Sequence, residues 1–273
     1  MKIRNIILAL LATIVSQSCS ERNYSEFTDM PIIESYLRPG QCVTLSVSRQ
    51  IPFSEGVTYS GDDIDALQIT VRNRGVNHIL KPLGGGKYAD STMIVEAGQR
   101  YDLSFTFDSR TVSAYTEVPL QPSGFTQSAV SISVMRMDSL SGPPQGGAWQ
   151  MPQPLTLEWA NDDGSYYIIV VENMEATLDP VRDFGDEERP EGRFRKAPTT
   201  ASGVEMRPQE FQYFGKHRLI LYHVLPDYAS LYNETSTSSQ NLTNPSTSIM
   251  NGYGIFTGLN SDTLFLDVLE AKK

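Results

Sequence analysis

A chain of 273 residues with 40% hydrophobic content is long enough for one or two packed domains and too apolar to be intrinsically disordered. Its formal net charge of −10 excludes general binding to nucleic acid, because a polyanion would be repelled, and no polybasic run is present to hold it to anionic lipid. The 13 Tyr and 11 Phe, with 20 Gly and 16 Pro, favour strands and turns over long helices.

Residues 1–18 read as an export signal. Lys2 and Arg4 precede an uninterrupted apolar run, Ile6 to Val15, which fits a signal segment and is too short to span a bilayer. Residues 16–19 are compatible with two cleavages. Ser16 and Ser18 satisfy the small-x-small rule of ordinary signal peptidase. Cys19, directly after Ser18, matches a lipoprotein cleavage site in which the thiol receives a diacylglycerol. Ser16 stands where such sites usually carry a large aliphatic residue, and Val15 is the nearest one. The lipoprotein reading is preferred, because a cysteine ending the signal is hard to explain by chance in a chain with 2 Cys. Acyl chains on Cys19 would anchor stably, at about 0.8 kcal/mol per buried CH₂. Cys42 then has no partner for an internal disulfide, and no His/Cys cluster around it suggests catalysis or metal. Residues 19–26 are polar and suit a tether.

Residues 27–120 form the first expected domain. Candidate strands are Ile32–Leu37, Cys42–Ser48, Ala66–Asn73, His78–Pro82, Ser91–Val95, Tyr101–Phe107 and Ala114–Val118. Several alternate with period two: Leu67, Ile69 and Val71 against Gln68, Thr70 and Arg72; Tyr101, Leu103, Phe105 and Phe107 against Asp102, Ser104 and Thr106. That period gives a sheet with one face in a core. Short strands punctuated by Gly, Pro and Asp predict an immunoglobulin-like sandwich.

Gln121-Pro122-Ser123-Gly124 marks a junction. Residues 121–273 form the second expected domain, a fibronectin-like β-sandwich with long loops. Leu155–Trp159 and Tyr166–Glu172 flank Asn161-Asp162-Asp163-Gly164 and read as a hairpin. Tyr166–Val171 is apolar on both faces, as in a central strand. Asn173–Lys216 is the least regular stretch, charged and rich in Pro and Gly, and such long loops are often functional. His217–Leu225 reads as a strand, Asp227–Glu234 as a short helix capped by Asp227, Thr235–Ser248 as a polar loop, and Asn251–Phe256 and Thr263–Leu269 as closing strands. The fold class is therefore all-β, two sandwiches in tandem.

The motifs that invite chemistry have plainer explanations. Gly84-Gly85-Gly86-Lys87-Tyr88 lacks the spacing, hydroxyl and helix of a phosphate loop and reads as a hairpin turn. Asn161–Gly164 lacks the ligand alternation and trailing Glu of a calcium loop. Asp179, Asp183, Asp186, Glu187, Glu188 and Glu191 are interleaved with Arg182, Arg189, Arg193 and Arg195. Facing carboxylates there would permit glycoside hydrolysis, whereas mixed charge in a loop more commonly makes a solvated surface. His217 and His223 on one strand stand about 20 Å apart, too far to share a metal. Tyr228, Tyr232, Tyr253 and Phe256 either line a groove or pack a core. No catalytic residue, metal ligand or cofactor is expected.

Pro31-Ile32-Ile33-Glu34-Ser35-Tyr36-Leu37, Gly86-Lys87-Tyr88, Ala97-Gly98-Gln99-Arg100-Tyr101-Asp102-Leu103, Ala114-Tyr115-Thr116-Glu117-Val118-Pro119, Asn244-Pro245 and Met250-Asn251-Gly252-Tyr253-Gly254-Ile255-Phe256 succeed one another in an order that resembles a family of Bacteroidetes lipoproteins, domain of unknown function 4249. The resemblance implies an outer-membrane lipoprotein, often encoded beside a TonB-dependent receptor, and carries over no catalytic residue. Glycines in Asn251–Gly254 have a backbone explanation, since Gly accepts positive φ. The expected function is that of a non-catalytic accessory binding or assembly partner of such a receptor, presenting Asn173–Lys216 and Thr235–Ser248 as contact loops. A cell-surface structural or adhesion protein is the alternative, followed by a hydrolase using Asp183 or Glu187. Ser20-Glu21 leaves both faces of the outer membrane open.

Overall fold

In a computed structural model of the chain, the structure describes residues 29–49, 62–137, 153–185, 188–236 and 247–271. The expected lipid site Cys19, the expected signal 1–18 and the expected tether 19–26 lie outside them. Met30–Gln50 and Thr58–Lys273 form one compact unit.

The first core is built by eight strands: β1 (Pro31–Leu37), β2 (Cys42–Arg49), β3 (Thr70–Asn73), β4 (Val76–Ile79), β5 (Lys81–Gly84), β6 (Lys87–Ile94), β7 (Arg100–Phe107) and β8 (Arg110–Glu117). They run in the orders β1-β2-β6-β5 and β4-β3-β7-β8. That is an immunoglobulin arrangement with β4 as an added edge strand. Period-two alternation drives it. Ile33 and Leu37 of β1, Val43, Leu45 and Val47 of β2, and Tyr101, Leu103, Phe105 and Phe107 of β7 all turn into one cluster. The glycine run 84–86 is the β5–β6 turn. Its Gly85 and Gly86 amides donate to the Asp65 carboxylate at 3.1 and 2.6 Å. An anion-binding turn is thus filled by the chain's own acid, which is why it is not a phosphate site.

The second core takes β9 (Thr126–Gln127), β10 (Ser131–Val134), β11 (Leu155–Glu158), β12 (Tyr166–Asn173), β13 (Arg193–Arg195), β14 (Gly203–Met206), β15 (Gly215–Val224) and β16 (Tyr253–Glu270). The sheet β14-β11-β9 faces β13-β12-β15-β16, with β10 parallel to the end of β16. Three strands against four is a fibronectin-like sandwich. Leu155, Leu157, Trp159, Tyr167, Ile169, Leu219, Leu221 and Leu266 fill it. The all-β, tandem-sandwich expectation holds.

Three expectations need correction. The hairpin expected around Asn161–Gly164 is an arch: β11 pairs with β14 and β9, whereas β12 pairs with β13 and β15. The connection crosses between sheets because Trp159 and Tyr167 pack on each other inside the core, with ring centroids 5.6 Å apart. Asn161 secures the arch by donating to the Ser165 and Thr200 carbonyls. The stretch Asn173–Lys216 is more regular than its composition implies, because it supplies β13 and β14, one edge strand to each sheet.

The third correction concerns the boundary between residues 27–120 and 121–273. Residues 253–258, placed by sequence in the second sandwich, pair in parallel with β1 of the first, from Ile32↔Tyr253 to Leu37↔Gly258. From Leu259 onward the same strand pairs with β15. One strand therefore completes both sandwiches and fuses two sheets. Two glycines make this passage sterically feasible. A Cβ on Gly254 (φ +96°) would stand 2.0 Å from the Ile33 carbonyl oxygen. One on Gly258 would stand 2.6 Å from Val118 Cα, where the Gly258 amide donates to Thr116 Oγ1 at 2.8 Å.

Candidate functional site

Strands β12 and β15 carry apolar side chains on both faces. Tyr167, Ile169, Val171, Leu219 and Leu221 point into the second core. Ile168, Val170, Ile220 and Val224, with Leu259 of β16, point the other way and are still at most 6% exposed. An apolar outer face needs cover. Half-buried Tyr36 of β1, Tyr222 of β15 and Tyr228 of the helix Pro226–Ser236 wall it, and Tyr36 meets Tyr228 edge-on at 5.9 Å.

The space left open is a cavity of about 430 Å³ lined by Tyr36, Arg38, Glu191, Arg193, Arg195 and Tyr228. A recess of about 70 Å³ reaches its floor at Ile168, Val170, Val224 and Leu259. Strand geometry places the arginines. In β13 the central Phe194 packs inward, edge-on to Phe211 at 6.0 Å. Period two then turns Arg193 and Arg195 to the outer face. Arg38 comes directly after the last residue of β1 and opens the turn that carries Gly40 at φ +79°.

The three guanidiniums differ in partners. Arg193 Nε pairs with Glu172 Oε1 at 3.0 Å, and Glu172 also pairs with Arg218, so one carboxylate is shared by two cations. Arg38 lies over the Tyr222 ring at 5.9 Å and Arg195 over the Tyr232 ring at 4.7 Å. Neither has a carboxylate within ion-pair distance among the described residues. Burial, reinforced by Glu34, pushes the Tyr36 hydroxyl up to about 12, which keeps it protonated. The site thus offers fixed positive charge, tyrosine rings and an apolar floor. Glu191 is the one carboxylate among the described residues on the cavity wall, so the paired-carboxylate chemistry of a glycosidase is not assembled from them there.

The residues singled out from sequence fall in several places. Tyr228 walls the cavity and Tyr232 stacks under Arg195, whereas Phe256 is fully buried in the first core. Asp179 receives a bidentate pair from Arg136 at 2.8 and 2.9 Å, which holds its carboxyl below the usual carboxylate range. Arg136 also grips Glu270, tying the 179 segment to the end of β16. Asp183 accepts the Gly185 amide at 2.9 Å in a turn. Asp186 and Glu187 lie outside the described residues, as does 237–246 of the expected contact loop. Among the described residues no three His, Cys, Asp or Glu side chains could hold a metal ion. Cys42 is a free, half-buried thiol.

Each of the three histidines is held by contacts within the fold. His78 Nδ1 lies 3.0 Å from Asp90, and His223 stacks on Tyr167 at 4.8 Å. His217 is 3% exposed. Its Nδ1–H donates to the Gly215 carbonyl at 3.0 Å, leaving Nε2 to accept from Asn173 Nδ2 at 3.3 Å. Burial lowers its pKa.

Sequence reasoning missed Arg38, Tyr36 and Tyr222, and weighed Arg193 and Arg195 only as loop charges. The two-faced apolar runs of β12 and β15 were the available signal, since a second apolar face must be covered by something.

No family model matches the chain, and no curated protein matches it. Among solved structures it is similar to domains A168–A170 of titin at 12% identity, with 71% of this chain and 60% of that chain covered and a TM-score of 0.20.

Proposed function

We propose that the chain is a non-catalytic, lipid-anchored binding protein of the outer membrane, attached through Cys19, whose ligand surface is the arginine–tyrosine groove. The observation that carries this reading is Arg38 and Arg195, two guanidiniums without carboxylate partners among the described residues, held above a buried apolar floor. Loops and edges on rigid sandwiches are a common setting for binding. The lipoprotein resemblance and the cysteine at the end of the signal support the anchor and the membrane. They also support the role of accessory partner to a TonB-dependent receptor within a Bacteroidetes-type envelope.

A second reading, a structural or adhesion protein of the cell surface, is favoured by β16. A single strand hydrogen-bonded into both sandwiches stiffens the junction between them.

Membrane fractionation with intact-mass measurement tests the anchored reading. The wild-type chain is expected in the membrane fraction, with a diacylglycerol on an N-terminal Cys19, and Cys19→Ala in the soluble fraction. A soluble, unacylated wild-type chain would overturn it.

A further inference from the structure

Resting on the reading of the groove as a binding site, we infer that its ligand is a small organic anion carried on a flat, apolar ring body, with the anion held by Arg38 and Arg195 and the ring laid against Tyr36 and Tyr228. Size favours a small molecule. About 430 Å³ of concave space falls within the range of roughly 300–1,000 Å³ typical of small-ligand sites.

Charge selects an anion. The described cavity wall bears three arginines and one glutamate, net positive in a chain of net charge −10. Guanidinium matches carboxylate or sulfonate through paired hydrogen bonds. Arg193 is already engaged by Glu172, so the other two arginines are the recognition groups. The Tyr36 hydroxyl, protonated across the physiological range, adds no competing negative charge.

The walls select the body. Tyr36, Tyr228 and Leu259 line the same cavity and give a ring apolar surface to lie on, whereas Ile168, Val170 and Val224 are buried beneath it around a recess of about 70 Å³. Half-buried tyrosines on the walls suit a flat ring. Glu191 stands on the same wall and repels a second negative charge, favouring monoanions.

The test uses the mature full-length chain with 2-naphthoate and its neutral isostere 2-naphthamide, measured by titration calorimetry and by the ring resonances of Tyr36 and Tyr228. Naphthoate is expected to shift those resonances and to bind at least about tenfold more tightly than the amide, as a charge-assisted hydrogen bond would give. Its affinity falls as salt rises, because the groove is open to solvent. Arg38→Ala and Arg195→Ala weaken naphthoate and leave the amide unchanged. Arg38→Lys, which keeps the charge, recovers part of the loss. Equal affinity of acid and amide, with the tyrosine resonances shifted, overturns the anion assignment while leaving the groove a binding site. Naphthoate binding that ignores both arginine substitutions overturns the assignment of the residues. Failure of both probes to perturb the groove removes the inference together with the groove reading on which it rests.

Discussion

Gly258 sits where β16 leaves β1 and joins β15, with Val118 Cα and the Glu117 carbonyl against the face where a side chain would start. Backbone atoms cannot yield as a flexible side chain can. Gly258→Ala is therefore expected to cost about 1–3 kcal/mol, the usual range for overpacking. Gly192→Ala meets most closely the end of the Leu178 side chain, at 3.0 Å, with Asn173 Cβ at 3.5 Å, and is expected to stay within about 1 kcal/mol of the parent. Denaturant midpoints of the two variants check this, and equal midpoints would contradict the steric account. His217 gives a pH prediction with a definite sign. Its folded pKa lies below the unfolded value of about 6.5 because burial disfavours the imidazolium. Above that value both states are neutral there and nothing is gained or lost. As pH falls through it the unfolded chain binds the proton and the folded chain does not, so stability drops until the folded pKa is passed. Asp90 and Asp179, whose pKa values are lowered, add their losses only at more acid pH, below about 3.9. The expected outcome is a fall in urea midpoint as pH drops through about 6.5 that is flattened in His217→Gln. The same slope in both proteins would show that another group is responsible.

At the scale of elements, what was legible was what period two encodes. The alternation in Tyr101–Phe107 locates β7 and its buried face, and the Gly84–Gly86 run locates a hairpin turn. Pairings between distant elements were not legible, because nothing local in Tyr253–Gly258 says that its partner is β1. The arch at Asn161–Gly164 reads as a hairpin for the same reason. An Asp-Gly turn between two apolar runs looks identical whether the strands pair or pass to opposite sheets. The groove was half legible: the double-faced runs of β12 and β15 showed that a second surface existed, while Arg38 reaches it from a residue number more than a hundred positions away. The shared strand has an energetic consequence. Phe256 is fully buried in the first core, and Leu266 and Val268 of the same strand are buried in the second. Phe256→Ala is expected to cost about 3–5 kcal/mol. Because β16 links the cores, it should lower hydrogen-exchange protection in β12 and β15 as well as in β1 and β2. Unchanged protection of β12 and β15 would mean that the sandwiches open independently.

For the whole molecule, charge and shape point the same way. In an acidic protein, a concave surface that carries three arginines and one glutamate is locally positive and favours an anion there. That surface lies on the fused sheet near the handover between the two cores, where Arg38 of one sandwich and Arg195 of the other line one cavity. On the proposed function, a lipid on Cys19 and the segment 19–26 would keep this surface near the membrane. Crosslinked, mild-detergent co-purification of the native protein from its own membranes, with mass spectrometry of the partners and of the N-terminal peptide, tests the lipid anchor and the receptor partnership together. The expected result is acylated Cys19 and a receptor barrel in stoichiometric amount. An acylated chain that purifies alone would contradict the receptor-partner proposal, and an unacylated, soluble chain would contradict the anchor.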